Sequence, residues 1–240
     1  MPRTVMTVDQ VMKELARLGD AQTKKTHMRH GAPEPLFGVK VEHLKKIQKA
    51  VGKDYQLALD LYDTGNSDAM YLAGLIADET KMTKRDLQRW VENATWKYTT
   101  EYTVPWVAGE SPFAYELGAK WIDSKKETIA SSGWSTLAAW VSRTPDEELD
   151  LKAIEALMAR VLSTVGDAPN RVRYVMNGFI IAVGSFVVPL SKKAVDVAKK
   201  LGKVNVDVGD TACKTPSAVE YIAKVAKAGK TGKKRATCRC

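Results

Sequence analysis

FGVKVEHLKKIQKAV, residues 37–51, decides the fold class. Leu44, Ile47 and Val51 recur at three- and four-residue steps, while Lys45, Lys46 and Lys49 fill the other face. That is the stripe of a surface helix with its apolar side turned to a core. The same spacing continues in both directions. Upstream, Thr7-Val-Asp-Gln10 is a capping-box pattern opening a helix that carries Val8, Val11, Met12, Leu15 and Leu18. Between the two, residues 20–39 break the pattern, with Gly31, Pro33, Pro35 and Gly38 as punctuation. Downstream, Ser67 and Thr83 read as caps, Ser111-Pro112 opens a further helix, and apolar stripes predict helices over 54–63, 129–142, 150–165, 169–187 and 191–201. A last helix runs from Thr215-Pro216 to Lys227. Only residues 204–208, VNVDV, alternate like a strand. The chain thus reads as all-α, about a dozen helices, with helix pairs every roughly 35 to 45 residues. That period suits a solenoid of stacked pairs with a concave groove; a compact helical bundle is the alternative.

Charge is distributed unevenly. The formal net charge is +9. Residues 1–53 hold 11 basic and 5 acidic side chains, residues 54–170 hold 11 and 19, and residues 171–223 hold 8 and 4. From Lys224 onward there are 7 basic residues and no acid. Basic ends suit a phosphate backbone, because each neutralised phosphate releases counterions. The last residues, KAGKTGKKRATCRC, offer little to pack, so the division expected is a helical domain over 1–228 and a disordered basic tail over 229–240.

Several classes are excluded or disfavoured. No apolar run approaches the roughly 20 residues that span a bilayer, and the first residues lack a signal-peptide pattern, so a cytoplasmic protein without a membrane is expected. Three cysteines, Cys213, Cys238 and Cys240, make no disulfide framework. Cys238-Arg-Cys240 reads as exposed thiols on the tail, and His27-x-x-His30 as a surface turn among cations; neither supplies the four ligands of a zinc site, so no metal and no cofactor is expected. There is no glycine-rich phosphate loop after a strand and no nucleophile elbow.

The segment with the most chemistry is ATWKYTTEYTVPW, residues 94–106, with two tryptophans, two tyrosines, a lysine and one carboxylate, Glu101. Pro105 predicts a helix end or bend there. A carboxylate stabilises positive charge growing on a sugar, and aromatic faces hold a cationic base. The bland reading is a surface carboxylate paired with Lys97 at i,i+4.

With FGVKVEHLKKIQKAV, TWKYTTEY, GWSTLAAWVSR and RVRYVMNGFIIAVGSF in this order, the chain resembles the AlkD-like DNA alkylation repair family across about residues 8–228. The resemblance implies HEAT-like repeats around a basic groove for duplex DNA, and a monofunctional glycosylase without metal or nucleotide cofactor that releases cationic N3- or N7-alkylated purines; a monomer is expected. It makes Glu101 the catalytic acid. On that pattern Trp96 and Trp134 match groove tryptophans. Arg171 and Arg173, opening a helix, read as phosphate contacts, and Lys45, Lys46, Lys97 and Arg143 are further candidates for DNA contact, a solvated face being the alternative for the lysines of residues 40–49. The sequence departs from the family pattern at three places: Lys97 stands where a second tryptophan is expected, Leu137 where an arginine is expected, and Ile180-Ile181 where a groove tryptophan is expected. A noncatalytic DNA-binding module and a protein-interaction scaffold are the alternatives.

Overall fold

The computed structural model describes residues 5–209 and 211–239. They form thirteen α-helices: α1 (Val8–Leu18), α2 (Ala21–Arg29), α3 (Val41–Val51), α4 (Tyr55–Asp63), α5 (Ser67–Ile76), α6 (Lys84–Asn93), α7 (Val104–Glu110), α8 (Ala114–Trp121), α9 (Glu127–Arg143), α10 (Leu151–Thr164), α11 (Asn170–Phe186), α12 (Ser191–Leu201) and α13 (Ala218–Lys227). A π-helical turn, Thr99–Thr103, leads into α7. No strand occurs among the described residues; Gly19 and Val39 make one isolated bridge, and the alternating residues 204–208 are an irregular connection.

Local chemistry sets the helix starts. Thr7 and Thr83 close capping boxes with Gln10 and Asp86. Asp150 caps α10 through the Ala153 N–H. Asn66, rather than Ser67, caps α5 by accepting from Asp68 and Ala69 N–H groups. α2, hidden in the expected break, is a polar helix with no buried residue, started by Asp20. It lacks the apolar stripe by which a helix is recognised in sequence.

The opening stretch is fixed by a residue far from it. The buried Asp68 carboxylate accepts N–H groups from Phe37, Gly38 and Val39 at 2.7, 2.9 and 2.9 Å. Gly38 has φ +81°, and a Cβ there would lie 2.4 Å from the Lys24 backbone nitrogen. Only glycine fits that left-handed, crowded position. α3 then turns Leu44, Ile47 and Val51 inward, as its stripe predicts.

Two apolar cores share α9. The first gathers α1 and α3–α8, including Trp90 stacked on Tyr62 at 4.2 Å, with the Tyr62 hydroxyl donating to the Trp90 carbonyl. The second gathers α9–α13 around Trp134, Phe179 and Val183. Each fully buried large apolar side chain contributes roughly 1.5–3 kcal/mol. α9 packs against α7 and α8 on one side and α11 on the other.

Residues 229–239, expected to be disordered, instead lie along the ends of these helices. Gly232 N–H donates to the Ser185 carbonyl, Arg235 N–H to Ser142 and Lys234 Nζ to Val141. The Arg239 guanidinium reaches the Leu75 and Ala77 carbonyls. These carbonyls close α11, α9 and α5, where helices lack internal donors and favour positive charge. Arg239 also pairs with Glu79 at 2.8 Å and Glu110 at 3.2 Å, and Lys234 with Asp146 at 2.8 Å. Cys238 is buried in the first core, contrary to the exposed thiol expected. Cys240 lies outside the described residues, so the expectation for the C-x-C pair is addressed at Cys238 alone.

Candidate nucleic-acid interface

The aromatic–acid segment is built by a change of helical register. Pro105 has no N–H to give the Glu101 carbonyl. The chain accommodates this with the π turn, in which Val104 N–H bonds the Thr99 carbonyl five residues back. Thr99 Oγ1 secures the entry by accepting from Thr95 and Trp96 N–H groups. One consequence is a ladder of rings at near-helical spacing. Trp96 stacks on Tyr98 at 4.4 Å, Tyr98 meets Tyr102 edge-on at 5.7 Å, and Tyr102 meets Trp106 at 5.8 Å. Tyr71 of α5 joins Tyr98 and Trp106 from the side.

Glu101 points from the π turn to Arg171 in the first turn of α11. Arg171 Nε and Nη2 donate to the two carboxylate oxygens, both at 2.7 Å. The Glu101 side chain is 4% exposed and that of Arg171 26%. Burial pushes the Glu101 carboxyl up, and the guanidinium opposes that push. Arg171 is itself oriented: its N–H donates to Glu127 Oε1 at 2.6 Å, and its guanidinium lies 4.3 Å above the Tyr174 ring. The charge of the carboxylate is therefore answered inside the protein by a fork that matches it.

Lys97 places Nζ 2.8 Å from His30 Nδ1. Burial lowers the His30 pKa, and nearby Lys97, Arg29 and His27 lower it further. Burial also lowers Lys97. The i,i+4 pair between Lys97 and Glu101 does not form. His27 packs against Trp96 and Tyr98 at 5.7 and 5.6 Å. The two histidines, read as a surface turn, thus belong to this site; their partners stand some seventy residues along the chain, which spacing cannot reveal. Among the described residues, no three His, Cys, Asp or Glu side chains are grouped to hold a metal.

The remaining candidates are dispersed. Trp96 is 5% exposed, enclosed by Tyr98, Ala32 and Leu36. Trp134 is fully buried against Phe179, so its expected place at DNA is corrected to the core. Arg143, at the end of α9, donates to the Ala236 carbonyl of the tail. Arg173 is half-buried on α11, with Nε unpartnered. Lys45 is exposed on α3, and Lys46 lines a separate cleft between α1 and α3. Of the nine side chains singled out, Glu101 and Arg171 are joined by hydrogen bonds and an ion pair.

An open cleft of about 350 Å³ begins at Glu101 and Tyr102 and runs between α7, α9, α11 and α13 to Arg235 and Cys238 of the tail. Tyr102 and Tyr221 expose their rings at it, by 38% and 46%. Sequence reading missed Tyr174, Phe186 and Tyr221, which also line it.

Residues 11–222 match the DNA alkylation repair enzyme family. The chain belongs to that family. Relatives include the uncharacterized proteins Lin0241 of Listeria innocua and Lmo0209 of Listeria monocytogenes, each 34% identical over 226 residues, 92% of this chain and 97% of the relative. A solved structure described as a new family of proteins related to the HEAT-like repeat DNA glycosylases, with affinity for branched DNA structures, superposes with a TM-score of 0.89. The identity is 36%, over 98% of this chain and all of that one. The all-α, HEAT-like fold expected from the sequence is the fold found.

Proposed function

We propose that the protein binds branched DNA by shape and backbone charge, without excising bases. The observation that carries this reading is the bidentate Glu101–Arg171 pair. A carboxylate that serves an oxocarbenium-like transition state must present negative charge to the sugar. Here both oxygens accept from one guanidinium and the side chain is almost wholly covered. Trp96 has its ring against Tyr98, and the Lys97 side chain ends beside His30, so neither offers the free aromatic face that would hold a cationic purine. Both features oppose capture of an alkylated base. The branched-DNA affinity of the similar solved protein supports the choice of ligand, and the surplus of basic residues at the ends of the chain suits a phosphate backbone. Duplex binding, the expectation from sequence, becomes the weaker mode.

The test is anisotropy of a labelled three-way junction and of a duplex of equal length, over a salt series. The reading expects tighter binding of the junction at every salt concentration, with a steep salt slope for both. Equal affinity for the two would remove branching from the function.

A further inference from the structure

α11 contains a glycine with no reason to be there in the free protein. Gly178 sits in the middle of a seventeen-residue helix, where glycine weakens the helix relative to alanine. A Cβ added at the other helical glycines, Gly74, Gly109, Gly118, Gly133 and Gly184, would come within 3 Å of a packed neighbour. At Gly178 it would meet nothing within 4 Å. Packing explains the five; it does not explain Gly178. A helical glycine facing open space suits a position that something else approaches closely.

That space is the cleft described above. Gly178, Ala182 and Ser185 form its floor on α11, and Ala138, Ala139 and Ser142 face them from α9. Ser185 is 1% exposed, lines the cleft, and its Oγ has no hydrogen-bond partner. Tyr102, held between Tyr98 and Trp106, and Tyr221 are partly exposed at the cleft. Arg235 stands at the tail end, its guanidinium 5.2 Å from the centre of the Phe186 ring. The volume, about 350 Å³, is at the small end of clefts that take compact ligands, roughly 300–1,000 Å³. Flat aromatic walls, a smooth floor, an unused hydroxyl and a cation at one end suit a planar heterocycle joined to a phosphate.

We propose that this cleft receives one unpaired nucleobase of branched DNA, lying on the floor at Gly178 among the tyrosine rings, with Arg235 taking the adjoining phosphate. The proposal rests on the branched-DNA reading and deepens it: a junction offers an unstacked base at its branch point, and a continuous duplex does not. Base insertion then supplies the preference, while backbone charge supplies the affinity common to both DNAs.

The experiment uses a three-way junction with a single unpaired 2-aminopurine at the branch and a fully paired duplex. Binding is read by anisotropy from a distant dye, and insertion by 2-aminopurine fluorescence. The wild type is expected to quench 2-aminopurine on binding, and Gly178→Ala, whose methyl intrudes on the floor where the base would lie, to quench less. Gly178→Leu, which fills the cleft, is expected to abolish the quench and weaken junction binding roughly tenfold, the loss of one base-stacking contact, with duplex affinity unchanged. Tyr221→Ala, at an exposed ring, should also lose the quench, and it stands in if Gly178→Leu fails to fold. Junction binding by the wild type with no quench, or full junction affinity and quench in a folded Gly178→Leu, overturns the base pocket and leaves the branched-DNA reading intact. A wild type that does not prefer the junction overturns both.

Discussion

Glu101 and the Glu79–Glu110 pair are buried carboxylates answered by arginines from far along the chain. Arg171 reaches Glu101 across 70 residues, and Arg239 reaches Glu79 across 160. The two arrangements differ in what else holds the acids. Arg171 is the hydrogen-bond partner of both Glu101 oxygens. Glu79 also has Lys53 at 2.5 Å, and Glu110 also accepts from Thr237 Oγ1 and Cys238 N–H, both at 2.6 Å. The first arrangement depends on one side chain beside an open cleft. The second is shared among several and secures a terminal strap. Similar chemistry thus serves to neutralise a candidate catalytic acid in one place and to fasten the tail in the other.

The largest expected effect separates the two. Arg171→Ala strands a covered carboxylate and should lower stability by about 3 kcal/mol, the lower end for breaking a buried pair because Arg171 is partly exposed. Glu101→Gln, which removes the charge and keeps the shape, should cost less. Urea unfolding of both checks the order; a larger loss in Glu101→Gln would mean that the pair is not the main constraint on Glu101. Arg239→Ala should cost about 2 kcal/mol, less than Arg171→Ala because each acid keeps another partner. Parity of the two arginine variants would dissolve the distinction.

A pH effect comes next. Burial pushes Glu79 up, but Lys53, a backbone N–H and Arg239 outweigh it and hold its pKa below the ordinary 4.5. A depressed carboxyl pKa stabilises the fold above the unfolded value, and that contribution is lost as pH falls through the folded value. Thermal midpoints should therefore drop as pH is lowered past 4.5, and Arg239→Ala should shrink this part of the drop. An undiminished drop in the variant would remove Arg239 from the pair's energetics. The smallest effect is Gly178→Ala, which should raise stability by about 0.5 kcal/mol, since the added methyl meets only open space. A loss of stability there would mean that the space is not open in solution.

How far the sequence could be read follows from the same contrast. The α3 stripe and the Thr7 capping box were legible because they depend on neighbours three or four residues away. Glu101 stood out as the lone carboxylate among rings, yet its role turned on Arg171, which only the approach of α11 to the π turn supplies. The family resemblance puts Trp134 in a groove; α9 is covered on two sides, so its stripe cannot tell groove from core. The tail was read as disordered because basic, glycine-containing sequence has no apolar stripe. Its partners are helix-end carbonyls and three acids, Glu79, Glu110 and Asp146, gathered only by the finished fold.

The measurement that bears most directly on the account is release of free base from duplex and junction DNA containing 7-methylguanine, with the wild type beside Glu101→Gln. The account predicts binding of the junction and no released base from either protein, because the Glu101 charge is spent on Arg171. Release by the wild type that collapses in Glu101→Gln would contradict it and make Glu101 the acid of a working glycosylase.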